Sequence, residues 1–351
     1  MLTFNDYLHY YPKSNFNITT ITGCTGDIKY EHLRMDGDHI IVIIPRHKGD
    51  RSGAKPTEKS LYSNPVCPQI CPFLVLGIIL LSRETYRKHD SIILGKKSDE
   101  NINLWLKSIA ESRKNAAAVG LNGSHFTSYC TRKVSTSYVV SLPGLSNVIV
   151  CWLRAGWQLG GVLPRYLTIE AAGDQTVGRT VCGLPPNGLD FTFLPARFDD
   201  EAVIEWADII SNYDSYPTDF RHVIPCLVAA VVHHATWISD NLPGNHPIFL
   251  SRCWRVGAQV SLRPYVLAPC RMFCEVTGMV ATGIPPLHVF MNQQKNSNTT
   301  MISAIENSSR SAAKESRSPL GIVVSLGLWA LERRAAGKWT KEKVCWRCCW
   351  G

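Results

Sequence analysis

The N-terminal segment MLTFNDYLHYYPKSNFN lacks the apolar stretch that a secretory leader requires. No apolar run approaches the ~20 residues of a membrane span; the longest, Phe73 to Leu81, lies between Pro72 and Arg83 and is about half that length. Charge is sparse at 19% against 45% apolar residues, which excludes a wholly disordered chain and leaves ample material for a core. There is no internal repeat. Cys345, Cys348 and Cys349 have no second pair at finger spacing, so no metal site is expected. Without a leader, the 13 cysteines read as mostly reduced thiols of a soluble intracellular protein rather than as a disulfide framework. What is present is a length of 351 residues, enough for two domains, and an excess of 37 Lys+Arg over 28 Asp+Glu. A net +9 permits a polyanionic partner without proving one.

The expected fold class is mainly α with a small β-hairpin or sheet, an α+β arrangement. DHIIVIIP (38–45) is a β-branched strand, the polar Lys- and Gly-rich stretch after it is a turn, and Leu61-Tyr62 begins a return strand, giving a hairpin with a basic tip. CPFLVLGIILLSRETYRK (71–88) reads as a buried helix with Pro72 in its first turn and cations at its end. Residues 103–114 read as an amphipathic helix, 128–140 as a mixed segment, and 146–155 as a helix that Ser146 could cap. The Gly/Pro-rich stretch 182–197 is expected to wrap the surface as a linker. Residues 200–242 read as helical with a break near 212–217, 250–290 as ambiguous, and 293–319 as a flexible Ser/Asn-rich linker. His233 and His234 diverge by ~100° on a helix, so they are expected to be structural.

The chemistry-bearing residues concentrate between Tyr129 and Tyr166, with Arg132, then Trp157 25 residues later, then Tyr166 nine further on, and with Lys48 upstream in the hairpin tip. A tyrosine hydroxyl can attack phosphorus where cations stabilise the phenolate and the phosphorane. Arginine suits that task through bidentate hydrogen bonds to phosphate oxygens, an indole N–H adds one donor, and a lysine can protonate the leaving 5′-oxygen. In this order and spacing the chain resembles the tyrosine recombinases, and within them the crypton-type recombinases of eukaryotic DNA transposons. The strings that carry the resemblance are HKGDRSG (47–53), SNPVCPQICPFLVLG (63–77), TRKVSTSY (131–138) and LRAGWQLGGVLPRYL (153–167), extended by GDQTVGRTVCGLP (173–185), WISDNLP (237–243) and TGIPP (282–286).

The resemblance implies a recombinase catalytic domain over 27–199, a helical C-terminal extension over 200–292 and a tail over 293–351. Residues 1–26 are a ragged start, too short for the family's core-binding domain. It implies Tyr166 as nucleophile, forming a 3′-phosphotyrosyl link, with Arg132 on the phosphate, Trp157 in the His/Trp position and Lys48 as general acid. Tyr129 stands where the family has histidine, and NITTITGCTGD (17–27) holds no counterpart of the first catalytic arginine, so a partly degenerate member is expected. Arg46, Arg51, Lys55, Lys133, Arg154 and Arg165 would contact DNA, and Lys59 extends the basic run. The implied partner is double-stranded DNA in the nucleus, bound by a homo-oligomer assembled on it, with no cofactor, membrane or small-molecule substrate. Read without the resemblance, Lys48 is a solvated loop cation, Arg132-Lys133 a solvated pair, Trp157 and Tyr166 packing residues, and Tyr129 a space-filler.

Overall fold

The structure is a computed structural model that describes residues 28–45, 52, 56–83, 92, 104, 128–142, 150–151, 154, 171–186, 188–274, 277–285, 294 and 297–306. Met1–His288 forms one compact unit and Val289–Gly351 a second.

Three strands, β1 (Leu33–Asp36), β2 (His39–Ile44) and β3 (Thr57–Tyr62), form an antiparallel meander in the order β1-β2-β3. The β1–β2 turn is Gly37-Asp38, with Gly37 at φ +55°, a region glycine enters without steric cost. The register pairs Asp36 with His39, His39 with Tyr62, and Ile44 with Thr57. β2 is buried on both faces, which is why HIIVII carries no polar alternation. The hairpin is as expected, but the return strand starts at Thr57 and Leu61-Tyr62 ends it.

One face of the sheet meets two apolar helices, α1 (Pro72–Leu81) and, later in the chain, Thr218–His233. Phe73, Leu74, Val75 and Ile78 in α1 are fully buried, so the helix is apolar all round. Pro72 starts it where its missing N–H has no helical partner to lose. A Cβ on Gly77 would lie 2.7 Å from both the Leu227 carbonyl oxygen and Val231 Cγ2, so glycine sets the distance at which the two helices cross.

β3 also packs against α3 (Ala171–Val181), and α3 against α2 (Ser128–Ser141). Val139, Cys151 and Val177 close a small second apolar cluster there. Residues 128–140, expected to be mixed, are thus an α-helix.

The stretch expected as a surface linker, 182–197, is irregular but not superficial: Leu184, Phe191, Thr192, Leu194 and Ala196 are buried. It is followed by β4 (Arg197–Phe198), α4 (Trp206–Ile209), α5 (Thr218–His233), α6 (Ala235–Asn241), α7 (Arg252–Arg255) and α8 (Ala258–Ser261). The expected interruption falls at Asn212, which adopts φ +57°. β5 (Val266–Leu267) returns to pair with β4, and β6 (Phe273–Cys274) pairs with β7 (Met279–Val280). Because α5 packs on both α1 and β1, the segment read as a C-terminal extension supplies the central helix of the core.

Among the described residues no single helix is long and apolar enough to cross a membrane; α5 and α6 together reach that length but bend by 61°, and Val223, Leu227, Val231 and Ile238 are buried in the core. In the second unit, residues 297–306 are helical, where a flexible linker was expected.

Candidate functional site

Two polar junctions are buried where α3 meets the sheet. Both are built by residues that an apolar core admits only when their charges and hydrogen bonds are satisfied.

The first joins β3, α3 and Arg154. The Asp174 carboxylate, in the first turn of α3, accepts from the Ser60 backbone amide at 2.7 Å and pairs with Arg154 Nη1 at 2.7 Å and Lys59 Nζ at 3.6 Å. Arg154 also donates to the Ser60 carbonyl at 2.8 Å and the Asp174 carbonyl at 3.0 Å. Burial pushes the Asp174 carboxyl up, but Arg154, Lys59 and the Ser60 amide outweigh it and hold it below the usual carboxylate range. The same burial lowers the Lys59 ammonium, with Asp174 opposing. Gly178 lets α3 come this close, since a Cβ there would lie 2.7 Å from the Ser60 carbonyl oxygen.

The second joins the β1–β2 turn, β3, α3 and the segment after β7. Arg179, with no exposed surface, pairs with Asp38. It donates to the carbonyls of Thr282 (2.6 Å), Phe191 (2.9 Å) and Phe193 (3.1 Å), and lies over the Tyr62 ring at 4.4 Å. Thr282 Oγ1 donates to Asp38 Oδ1 and accepts from the Tyr62 hydroxyl, each at 2.6 Å. His39 stacks on Tyr62 with ring centroids 4.9 Å apart, and its buried Nε2 has no hydrogen-bond partner among the described residues. Burial raises the Asp38 carboxyl, but His39, Arg179 and Thr282 bring it below its ordinary value. Burial drives the Tyr62 phenol well above the ordinary tyrosine range, so it is a hydrogen-bond donor and not a nucleophile.

Against this geometry the expected site residues fall into three groups. Tyr129, Arg132 and Lys133 lie on α2, which packs on the Asp174-bearing helix. Lys48, Arg46, Arg51 and Lys55 lie in the β2–β3 connection, and Trp157, Arg165 and Tyr166 follow Arg154; all seven are outside the described residues. Arg154 is only 6% exposed and its guanidinium is committed to Asp174 and Ser60, so it is a structural anchor instead of the DNA contact expected of it. Lys59, extending the basic run, is likewise turned inward onto Asp174.

Sequence reasoning missed Asp38, Asp174, Arg179 and Thr282. The available signal was an acid and a base in GDQTVGRT, each beside a glycine in an otherwise uncharged string. His233 and His234 are stacked edge to face at 4.6 Å, and burial, with smaller contributions from the neighbouring His233 and Arg263, pushes His234 down to about 3. Among the described residues no group of three or more His, Cys, Asp or Glu side chains could hold a metal ion. No family model, no curated protein and no solved structure matches the chain.

Proposed function

We propose that the chain binds duplex DNA through a recombinase-like domain and that its strand cleavage is strongly impaired. The observation that supports this reading is the junction of Lys59, Ser60, Arg154 and Asp174. Three segments meet there: β3, Arg154 94 residues after Ser60, and Asp174 20 residues after Arg154. β3 continues the connection that carries Lys48; Arg154 precedes Trp157 by three residues and Tyr166 by twelve; Asp174 sits on the helix that packs against α2, which carries Arg132. A phosphate-cleaving centre needs those segments gathered at one edge of the sheet.

In the proposed reaction Tyr166 Oη attacks phosphorus, a 3′-phosphotyrosyl bond forms and the P–O5′ bond breaks. Lys48 supplies the proton to the leaving 5′-oxygen, and Arg132 and Trp157 donate to the non-bridging oxygens. The energy of the broken phosphodiester stays in the phosphotyrosyl bond, so rejoining needs no nucleotide or metal. Two donors of that set are absent: residues 17–27 hold no arginine, and Tyr129 stands in the histidine position. Each lost donor to the developing anion costs about 3–4 kcal/mol, or ~100- to 1000-fold in rate. Binding through phosphates survives such losses, in the nucleus and with a second copy of the chain on the same DNA.

A gel-shift titration with duplex DNA, alongside incubation with a nicked suicide substrate, tests both halves. The expected result is salt-sensitive retardation with little or no covalent adduct. An abundant adduct that vanishes in Tyr166→Phe overturns the impairment. No retardation at micromolar protein and low salt overturns the DNA-binding reading.

A further inference from the structure

We infer that the chain carries a binding site for a phosphate-type oxyanion between the C-terminus of α1 and α7. A cavity of about 70 Å³ opens there, lined by Ser82, Arg83, Ser211, Leu250, Arg252 and Arg255 among others. Since a single water needs roughly 10–15 Å³ by this measure, several water-sized positions are available, enough for a tetrahedral oxyanion.

Three arginines, Arg83, Arg252 and Arg255, line this concavity, and among the described residues no carboxylate lines it. Arg83 is held in place by donating to the Tyr30 hydroxyl at 2.5 Å and to the Ile92 carbonyl. Arg252 donates Nη1 to the Ala207 carbonyl at 2.9 Å and keeps further N–H groups available. The exposed Arg255 side chain makes no hydrogen bond or ion pair among the described residues, and neither Arg252 nor Arg255 has a carboxylate within ion-pair distance. Ser82 also lines the cavity, and among the described residues its buried Oγ has no hydrogen-bond partner. The α1 carbonyls of Ile78 and Leu80 are already capped by the amides of Ser82 and Arg83, which reduces the negative potential at that helix end. Planar forks with this charge surplus match the oxygens of a phosphate.

The cavity lies at the end of the sheet from which the basic connection leaves. Arg83 binds Tyr30, three residues before Leu33, which pairs with Val42 near the end of β2. A DNA backbone phosphate and a free phosphate are therefore both chemically suitable occupants. The inference does not rest on Tyr166 or on DNA binding.

The test is calorimetric titration of the full chain with inorganic phosphate, with chloride at matched ionic strength as control, on wild type, Arg255→Gln and Arg252→Gln/Arg255→Gln. Saturable phosphate binding is expected, weakened roughly tenfold or more by each lost guanidinium. Arg255→Gln, at an exposed side chain with no hydrogen bond or ion pair among the described residues, should melt at the wild-type temperature without phosphate, so its loss of binding reads the site and not the fold. Phosphate that acts no differently from chloride, or binds both variants as well as wild type, overturns the inference. A duplex-DNA arm identifies the source. If a backbone phosphate fills the site, Arg255→Gln lowers the salt slope of DNA binding by about 1 and phosphate competes with DNA. If a free oxyanion fills it, DNA affinity is unchanged while phosphate binding is lost. Should the chain bind no DNA, the proposed function falls and the phosphate titration still decides this site.

Discussion

Replacing Arg179 with methionine removes a cation of similar length from the centre of the second junction. Its partner Asp38 is 1% exposed and would be left with a charge that no other cation in the junction neutralises. The carbonyls of Thr282, Phe191 and Phe193 each lose a donor at 2.6–3.1 Å. Breaking a buried ion pair from one side costs about 3–5 kcal/mol. For a unit of this size that is a fall in melting temperature of roughly 6–15 °C. Thermal unfolding followed by circular dichroism measures it, and pH separates the cause from mere loss of packing. In wild type the folded Asp38 pKa is lowered, so its contribution is present above the unfolded value of 3.8 and is lost as pH falls through the folded one. In Arg179→Met the carboxyl loses a cation, its folded pKa moves up, and protonation relieves the buried charge. The deficit should therefore narrow as pH is lowered from about 6 to 4. Adding Asp38→Asn should recover part of the loss at neutral pH, since the orphaned charge is gone. A deficit under about 1 kcal/mol, or one that is flat with pH, would refute the account of the junction.

Gly77→Ala should cost about 1–3 kcal/mol, because the new Cβ meets the Leu227 backbone oxygen and α1 and α5 must separate; chemical denaturation reads it, and a neutral result contradicts the crossing geometry. His246, with burial pushing it down to about 4 and its Nδ1 accepting from the Ile248 amide at 3.2 Å, should remain a neutral imidazole at pH 5.5 by NMR. His234, pushed to about 3, should do the same. Both folded values lie below the unfolded 6.5, so stability is fully present above that pH and declines below it, by about 1.4 kcal/mol per pH unit for each group until its folded pKa is reached. Asn64→Ala should destabilise by about 1–3 kcal/mol, since the side chain accepts from the Val66 and Cys67 amides and donates to the Cys182 carbonyl.

The hairpin and α1 were legible because their signals are local: a run of β-branched residues bounded by turn chemistry, and ten apolar residues opened by a proline. α2 was not, because SYCTRKVSTSYVVS is rich in Ser, Thr and Val, which favour neither helix nor core strongly. Its helix is fixed by tertiary packing, Val139 against Val177 of α3. The Gly/Pro-rich stretch after α3 misled for a related reason. Irregular backbone can be buried only when its carbonyls find donors. The donor for Phe191 and Phe193 is Arg179, on a different element, and no local pattern announces that supply.

The candidate site shows the same division more sharply. The strings that carry the recombinase resemblance include the residues that pin this fold. SNPVCPQICP holds the Asn64 turn, GDQTVGRT holds Asp174, Gly178 and Arg179, TGIPP holds Thr282, and LRAGW holds Arg154. Each is buried or half-buried and held inside the fold, so what these strings do in this structure is hold its architecture together. Arg154 illustrates the risk of reading a cation beside a motif expected to be catalytic as a phosphate ligand. A guanidinium between an aspartate and a backbone carbonyl has little left to offer DNA, yet it ties β3 to α3. In the proposed function catalytic competence turns instead on Lys48, Arg132, Trp157 and Tyr166 and on the donors missing before Asp27 and at Tyr129. A chain can keep every pin of the fold while losing those donors, because no buried charge in the two junctions depends on them. The proposed binding and cleavage are therefore separable, and measuring them on the same DNA is the informative comparison.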